Sequence, residues 1–139
     1  MRIKKIELLT VDQIIFMNKK IVAQEKQRYV CLDKDKIDSA LAAAFYPGNY
    51  PFQYGGIAKV AGALCYFLTK AHAFLDGNKR TAGIAATVFM DLNHYQLIYP
   101  IDEKNDINEF ADIIDHAAAN KISKDQLITW FDRHKRPHS

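Results

Sequence analysis

The chain has 139 residues, of which 49% are hydrophobic, and it carries a net charge of +3 at pH 7. This length and apolar content favour one domain over residues 1–139 that buries its own core, and they exclude a multidomain architecture and a disordered chain. The basic residues are scattered, which argues against nucleic-acid binding. The uncharged apolar stretches 60–69 and 81–90 are too short to cross a membrane, so we expect no membrane partner.

Hydrophobic spacing predicts six helices. In chain order they are expected at about 11–28, 33–46, 57–72, 78–93, 106–119 and 124–134. Thr10 and Ser123 each begin a capping box that favours the start of the first and the last helix, and Pro47 ends the second. The fourth helix is apolar on nearly every side and rich in small residues, so we expect it to be the central, buried helix.

Segments outside the helices have a weaker pattern. The β-prone stretch 96–101 and the partly alternating stretch 3–9 leave room for one small antiparallel pair. The predicted fold class is therefore all-α, a compact domain of about six helices with room for one minor β-hairpin. The core is expected over about 8–134, and residues 135–139 are interpreted as a short, solvated basic tail.

Two cysteines, Cys31 and Cys65, are flanked by apolar residues and have no CxxC partner. We interpret both as reduced, half-buried thiols, which are typical of a cytoplasmic protein. At the start of the chain, Glu7 and Asp12 interrupt any apolar segment that could follow the first basic residues. No export signal is therefore predicted.

The residues that carry chemistry lie between the third and fourth helices. This segment is His72-Ala73-Phe74-Leu75-Asp76-Gly77-Asn78-Lys79-Arg80. The start of a helix exposes unpaired N–H groups and the positive end of the macrodipole, so the amides near Gly77, Asn78 and Lys79 form a natural phosphate cradle. Gly77 lets a phosphate approach the backbone, while Lys79 and Arg80 add charge-assisted donors.

Two further side chains complete the set. Asp76 could hold a magnesium ion that bridges the phosphates, and His72 could accept the proton of an attacking hydroxyl. Each has a structural alternative, since Asp76 could cap the helix and His72 could interact with the dipole of the preceding one. Lys79 and Arg80 oppose the dipole of the helix that they begin, and this mismatch favours a bound phosphate. Together the residues indicate nucleotide-dependent phosphoryl or nucleotidyl transfer.

The segment from His72 to Arg80 resembles the Fic/Doc motif, HxFx(D/E)GN(G/K)R, and the resemblance extends over about residues 8–134. It implies a compact helical fold with the motif loop between two central helices, and the use of ATP with magnesium. It also implies that His72 is the general base, that Phe74 anchors the loop in the core, and that Asp76 binds magnesium. The residues implied to line the anion site are Gly77, Asn78, Lys79 and Arg80.

Two positions are similar to the Doc branch of this family. Fic members that transfer AMP usually carry Gly where this chain has Lys79 and a second Arg where it has Gly83. Without that Arg, the resemblance implies that ATP binds in the reversed orientation, with its terminal phosphate over the motif. This phosphate is then transferred to a threonine of elongation factor Tu, and the modification halts translation. Gly77 is the Fic-like choice, since Doc usually has Ala there. An AMP transferase of the same fold therefore stays an alternative, as does a catalytically silent binding module.

Regulation is also implied by the resemblance. Doc toxins are silenced by a small antitoxin, whereas some Fic proteins carry an inhibitory helix with a Ser/Thr-x-x-x-Glu pattern. After Thr10, Ser39 and Ser123 the fourth residue is not Glu. We therefore expect inhibition by an antitoxin supplied in trans.

The stretch 46–56, rich in Pro and Gly, lies where the family places a flap that aligns a target segment by strand addition. Its aromatic residues Tyr50, Phe52 and Tyr54 are therefore candidates for docking the target peptide. With equal weight, the same aromatics could pack on the core of a turn-rich loop.

Overall fold

The computed structural model describes residues 5–48 and 53–138. Within these residues the chain forms six α-helices and four short strands, so the predicted all-α class is confirmed. The helices are α1 (Val11–Gln24), α2 (Lys34–Phe45), α3 (Ile57–Ala71), α4 (Asn78–Leu92), α5 (Glu109–Ala118) and α6 (Lys124–His134). The strands are β1 (Tyr95–Leu97), β2 (Ile101–Asp102), β3 (Ile107–Asn108) and β4 (Lys135–Pro137), with a 3₁₀ turn at Glu103–Asn105.

Local capping decides where α1 and α6 begin, and a chain reversal decides where α1 ends. The capping boxes predicted at Thr10 and Ser123 are both present. α1 nevertheless ends at Gln24, several residues before the predicted end. Lys26 has a left-handed φ of +58°, and its N–H and that of the next residue bond back to carbonyls in the last turn of α1. Glycine is the usual residue for such a reversal, so a lysine gives no signal of it in the sequence.

The centre of the domain is shared by α3 and α4, which pack against each other. α3 also contacts α2, α5 and α6, whereas α4 contacts α1, α5 and β1. The packing of α6 on α3 is so close that a Cβ atom on Gly62 would lie 2.8 Å from the Cα atom of Ile128. The prediction that α4 is the central helix is therefore incomplete, because α3 shares the centre with it.

The short strands form two separate antiparallel pairs. β2 and β3 make the minor hairpin, with Ile101 opposite Asn108. β1 pairs with β4, with Gln96 opposite Arg136. The predicted pairing of this region with the N-terminal stretch is wrong for its described residues 5–9, which form no strand. The basic tail is thus partly built into the fold through its backbone, although the side chain of Arg136 is exposed.

Both cysteines are free thiols, as predicted. Cys31 is half-buried, whereas Cys65 is fully buried in α3 rather than half-buried. Among the helices of the described residues, none is long and apolar enough to cross a membrane.

Candidate active site

The motif loop joins α3 to α4 and lies against the segment between α1 and α2. Cys31 and Phe74 face each other in an isolated antiparallel bridge. On either side of that bridge, the Leu32 N–H donates to the Ala73 carbonyl at 2.8 Å, and the Leu75 N–H donates to the carbonyl of Val30 at 3.0 Å. These bonds pair residues 73–75 of the loop with residues 30–32, as in a short antiparallel sheet, and so fix the backbone of the loop.

His72 ends α3 in a left-handed conformation, with φ of +48° and ψ of +44°. This conformation is uncommon for a residue other than glycine, and it turns the chain sharply out of the helix. The residue is exposed, and within the described part of the chain its imidazole has no hydrogen-bond or ion-pair partner. The ring is therefore available to accept a proton from an incoming group.

Phe74 is the buried anchor of the loop, with 4% of its surface exposed and its ring centroid 6.3 Å from that of Tyr29. The side chain of Asn78 bonds its backbone twice. The Oδ1 atom of Asn78 accepts from the Phe74 N–H at 3.1 Å, and the Nδ2 atom donates to the Phe74 carbonyl at 2.7 Å. The side-chain amide of Asn78 thus shapes the loop, and only the backbone N–H of this residue is left as a donor for an anion.

The start of α4 has no side-chain cap. Its N-cap residue is Gly77, which is left-handed with φ of +77°, and the first bond inside the helix is from the Thr81 N–H to the Gly77 carbonyl at 2.9 Å. The alternative that Asp76 caps this helix is therefore wrong. The N–H groups of Asn78, Lys79 and Arg80 come before this first donor and have no carbonyl acceptor within the helix, so they are the groups of α4 that could bind an anion.

Asp76 precedes this N-cap and is half-buried. Its carboxylate makes no hydrogen bond or ion pair with another residue that the structure describes. The same residues contain no cluster of three metal-binding side chains. Such a lone carboxylate fits magnesium, which keeps several waters and is commonly bound by one or two carboxylates together with substrate phosphates.

The two cations of the motif are paired with carboxylates of other helices. The Lys79 Nζ atom lies 2.8 Å from Asp115 Oδ1 on α5, and Arg80 pairs with Glu25 at the end of α1. The inference that these cations need a phosphate to offset the helix dipole is therefore corrected, because the protein itself supplies the anions. Both cations are about half exposed. Because surface ion pairs are weak, a phosphate that bound either cation would have to displace only a weakly held carboxylate.

Asn18 is a structural residue of the site that the motif does not include. It lies on α1 with no exposed surface, and its Nδ2 atom donates to the Asp76 carbonyl at 2.9 Å and to the Thr81 hydroxyl at 3.0 Å. Its Oδ1 atom is buried without a partner. The signal in the sequence is that Asn18 is the polar exception in the apolar face of α1.

The predicted docking flap is only partly visible. Tyr50 and Phe52 lie outside the described residues. Tyr54 is half-buried against the core, and its hydroxyl accepts from the Lys124 Nζ atom at 3.2 Å. The same ammonium lies 5.6 Å from the centroid of the Phe67 ring. For Tyr54, these contacts favour the alternative of packing over target docking.

Comparison with known proteins finds one family. Residues 8–90 match the model of the Fic/DOC family. This stretch is more than half of the chain, and it extends from just before α1 through the motif loop into the last turn of α4. A search of curated proteins finds no match.

Proposed function

Because this chain belongs to the Fic/DOC family, we propose that it is a Doc-like protein phosphotransferase. Members of the family are typically transferases that act on proteins, and they generally use ATP with a metal ion. The proposed reaction transfers the terminal phosphate of ATP to a threonine hydroxyl, with elongation factor Tu as the proposed target. The observation that carries the proposal is the start of α4, which has no side-chain cap. Its first turn carries the cations Lys79 and Arg80, and the loop before it begins with the exposed His72.

In the proposed step the threonine oxygen forms a bond to the terminal phosphorus, and the bond from that phosphorus to the leaving ADP oxygen breaks. His72 accepts the hydroxyl proton at an imidazole nitrogen. The first N–H groups of α4 and the side chains of Lys79 and Arg80 bind the phosphate oxygens. Asp76 would hold magnesium together with those phosphates, and the bound ion supplies charge neutralisation.

Gly83 supports transfer of phosphate rather than of AMP. A Cβ atom at this position would lie 3.0 Å from the Ile114 Cδ1 atom and 3.4 Å from the Phe110 ring. α5 therefore packs close to the point where members that transfer AMP usually carry a second arginine, and this chain has no side chain there. The cations at this end of α4 are then Lys79 and Arg80, which favours a terminal phosphate at the motif.

The second candidate is transfer of AMP to a protein hydroxyl by the same fold. Gly77 favours this alternative, because it is the Fic-like residue at a position where Doc usually has Ala. In this chain a Cβ atom on Gly77 would also lie 3.1 Å from the Asn18 Nδ2 atom and 3.2 Å from a methyl group of Val22. The two candidates differ in which phosphorus the hydroxyl attacks.

Labelled ATP distinguishes the candidates. The protein is incubated with magnesium, a cell lysate and ATP that is labelled on either the terminal or the α phosphorus. Phosphotransfer predicts a target labelled only from the terminal position, and AMP transfer predicts label only from the α position. His72→Ala should abolish the label, whereas His116→Ala, at an exposed position of α5, should retain it. If no protein is labelled, the silent binding module is favoured instead.

We also propose that the protein acts in the cytoplasm as the toxin of a toxin–antitoxin pair. The Ser/Thr-x-x-x-Glu inhibitory pattern is absent from the sequence, so inhibition is assigned to a separate antitoxin chain. Expression of the wild-type chain should arrest growth, and His72→Ala should relieve the arrest. If the neighbouring reading frame forms no complex with the protein, the proposed antitoxin has to be rejected.

A further inference from the structure

A groove of about 420 Å³ lies between α2 and α3, and we call it the α2–α3 groove. Its described lining residues come from these two helices, and they include Lys36, Ser39 and Ala43 of α2 and Phe67, Lys70 and Ala71 of α3. Ala71 ends α3, and His72 follows it directly in the chain. The groove therefore reaches the proposed general base from a side to which α4, with its phosphate-binding start, contributes no described residue.

The spacing of its α2 residues makes the groove run along that helix. Lys36, Ser39 and Ala43 are separated by three and four residues, so they lie on one face of α2. From Lys36 to Ala43 the helix rises roughly 10 Å at 1.5 Å per residue, which is about the length of three residues of extended chain. Phe67 of α3 is half-buried and provides an apolar floor. The groove thus has the dimensions of a short, extended peptide segment.

Lys36 is an uncompensated cation in this groove. Its side chain is exposed, and its ammonium makes no hydrogen bond or ion pair with any residue that the structure describes. The nearest carboxylates of the same helix belong to Asp35 and Asp38, which lie roughly 100° and 160° around α2 from Lys36. Neither of them lines the groove. Lys36 is therefore available to an anionic group that enters the groove.

Lys70 is the second cation of the groove, and it is bound to neutral groups. Its Nζ atom donates to the Ala118 carbonyl at 3.3 Å and to the side chain of Asn120, and it lies 5.8 Å from the centroid of the Tyr66 ring. These contacts hold the ammonium in place without a carboxylate to neutralise it. With two cations and no carboxylate among its described lining residues, the groove is complementary to an acidic segment.

We propose that the α2–α3 groove binds an acidic segment of the protein substrate, next to the hydroxyl that receives the transferred group. The proposal rests on the proposed function and adds the part of the substrate that the enzyme recognises. The hydroxyl has to come within hydrogen-bond distance of the His72 imidazole, so the substrate chain on either side of it crosses the surface around His72. One direction leads past Ala71 into the groove, where an Asp or Glu side chain of the substrate would meet Lys36 and Lys70.

Two matched pairs of variants of the full chain test the proposal. Lys36→Glu reverses the charge in the groove, and Lys104→Glu makes the same change in the 3₁₀ turn, outside the groove. Ser39→Trp fills the groove, whereas Ala42→Trp places the same side chain on α2 at a position that does not line it. All four wild-type residues are exposed, so no substitution enters the core.

The measured quantity is the initial rate at which protein in a cell lysate gains label from ATP, over a series of lysate dilutions. Only label that is absent with His72→Ala is counted, and ATP labelled on either the terminal or the α phosphorus covers both candidate reactions. We expect Lys36→Glu and Ser39→Trp to lower the rate in dilute lysate by about tenfold, the scale of an important interface side chain. The rate should approach that of the wild type in concentrated lysate, because the loss is in substrate binding.

Three further readouts separate substrate docking from a general defect. ATP affinity, measured by calorimetry, should be unchanged in all four variants. Added salt should shrink the effect of Lys36→Glu, which is electrostatic, and leave that of Ser39→Trp, which is steric. Lys104→Glu and Ala42→Trp should retain the wild-type rate at every lysate dilution.

The failure of the groove differs from the failure of the function. A wild-type rate with either Lys36→Glu or Ser39→Trp would overturn the groove, and so would an equal loss at every lysate dilution or a loss of ATP affinity. In each case the wild-type chain still modifies its substrate, so the proposed function stands. Label from the α phosphorus alone would overturn phosphotransfer, and the groove would still be judged by the same variants. No label with the wild-type chain would overturn both.

Cross-linking identifies the occupant of the groove. The photoreactive residue p-benzoylphenylalanine replaces Ser39 and, as the control, Ala42. A cross-linked product that contains the label from ATP, formed from position 39 and not from position 42, supports the proposal. If position 39 cross-links only to unlabelled proteins or to a second copy of this chain, the groove has another occupant and the proposal is overturned.

Discussion

At the scale of single residues, two asparagines fix the motif loop by bonds that the sequence does not specify. Residue type and spacing place Asn78 in the anion site, yet its side chain bonds both backbone groups of Phe74. Asn18 supports the same loop from α1, far away in the chain. Which groups an amide side chain bonds depends on how distant segments approach each other. The positions of the motif residues were therefore predictable, and the partners of their side chains were not.

The role of Asn18 predicts a loss of stability on substitution. Asn18→Leu keeps the branching and the number of heavy atoms of the side chain but leaves the Asp76 carbonyl and the Thr81 hydroxyl without their buried donor. We expect the free energy of unfolding to fall by about 1–3 kcal/mol, measured by urea unfolding. Adding Thr81→Val should recover part of the loss, because one of the two unsatisfied groups is then removed. Equal stability of Asn18→Leu and the wild type would show that these bonds contribute nothing.

Burial of Cys65 predicts a difference in thiol reactivity. Burial raises the pKa of the Cys65 thiol to about 12 from an ordinary value of 9.0. The folded state thus favours the neutral thiol, so this stabilisation is complete below pH 9.0 and is lost as the pH rises above it. At about pH 8 an alkylating reagent should modify half-buried Cys31 and spare Cys65 until the protein is denatured. Peptide mass spectrometry checks this, and rapid alkylation of Cys65 in the folded protein would contradict it.

At the scale of elements, the helices were predictable because their patterns are local. Each helix makes its hydrogen bonds within its own segment, and apolar spacing shows which face is buried. A strand makes its hydrogen bonds with another segment, and local sequence does not show which segment that is. The partner of β1 is β4 and not the N-terminal stretch. The ion pairs of Lys79 and Arg80 were hidden for the same reason, since their carboxylates come from α5 and α1.

The ion pair between α4 and α5 predicts a change in nucleotide affinity. Asp115→Asn frees Lys79 for a phosphate, so the KM for ATP should fall by about two- to fivefold, the range expected for an exposed ion pair. Asp112→Asn makes the same change of charge one turn earlier on α5, at an exposed carboxylate without an ion pair among the described residues. Steady-state kinetics compare the two variants, and added salt should shrink their difference. An identical KM in both variants would count against competition between Asp115 and the nucleotide.

At the scale of the whole molecule, the candidate site extends beyond the stretch that matches the family. The match ends at residue 90, whereas α5 contributes Asp115, the ion-pair partner of Lys79, and Phe110, which lines one groove of about 440 Å³ together with Lys79. Further along the chain, β4 returns to β1, which follows the end of α4. The C-terminal third thus provides one wall of the groove and closes the fold beside α4.

The closing strand predicts an effect of truncation. A chain that ends at His134 lacks β4, so β1 loses its hydrogen-bonding partner and the half-buried side chains of Tyr95 and Leu97 become more exposed. We expect a loss of about 1–2 kcal/mol, given a net value of roughly 0.5–1.5 kcal/mol for each hydrogen bond. Thermal unfolding followed by circular dichroism measures it, with a chain ending at His138 as the control. Equal Tm values for the two chains would refute a stabilising role of β4.

Whether the domain transfers phosphate is decided by the mass that its target gains. Purified elongation factor Tu is incubated with the protein, ATP and magnesium, and its intact mass is measured beside a reaction with His72→Ala. The proposed function predicts the gain of one phosphate group with the wild-type chain and no gain with the variant. The gain of an AMP group, no gain at all, or a phosphate gain that persists with His72→Ala would contradict it.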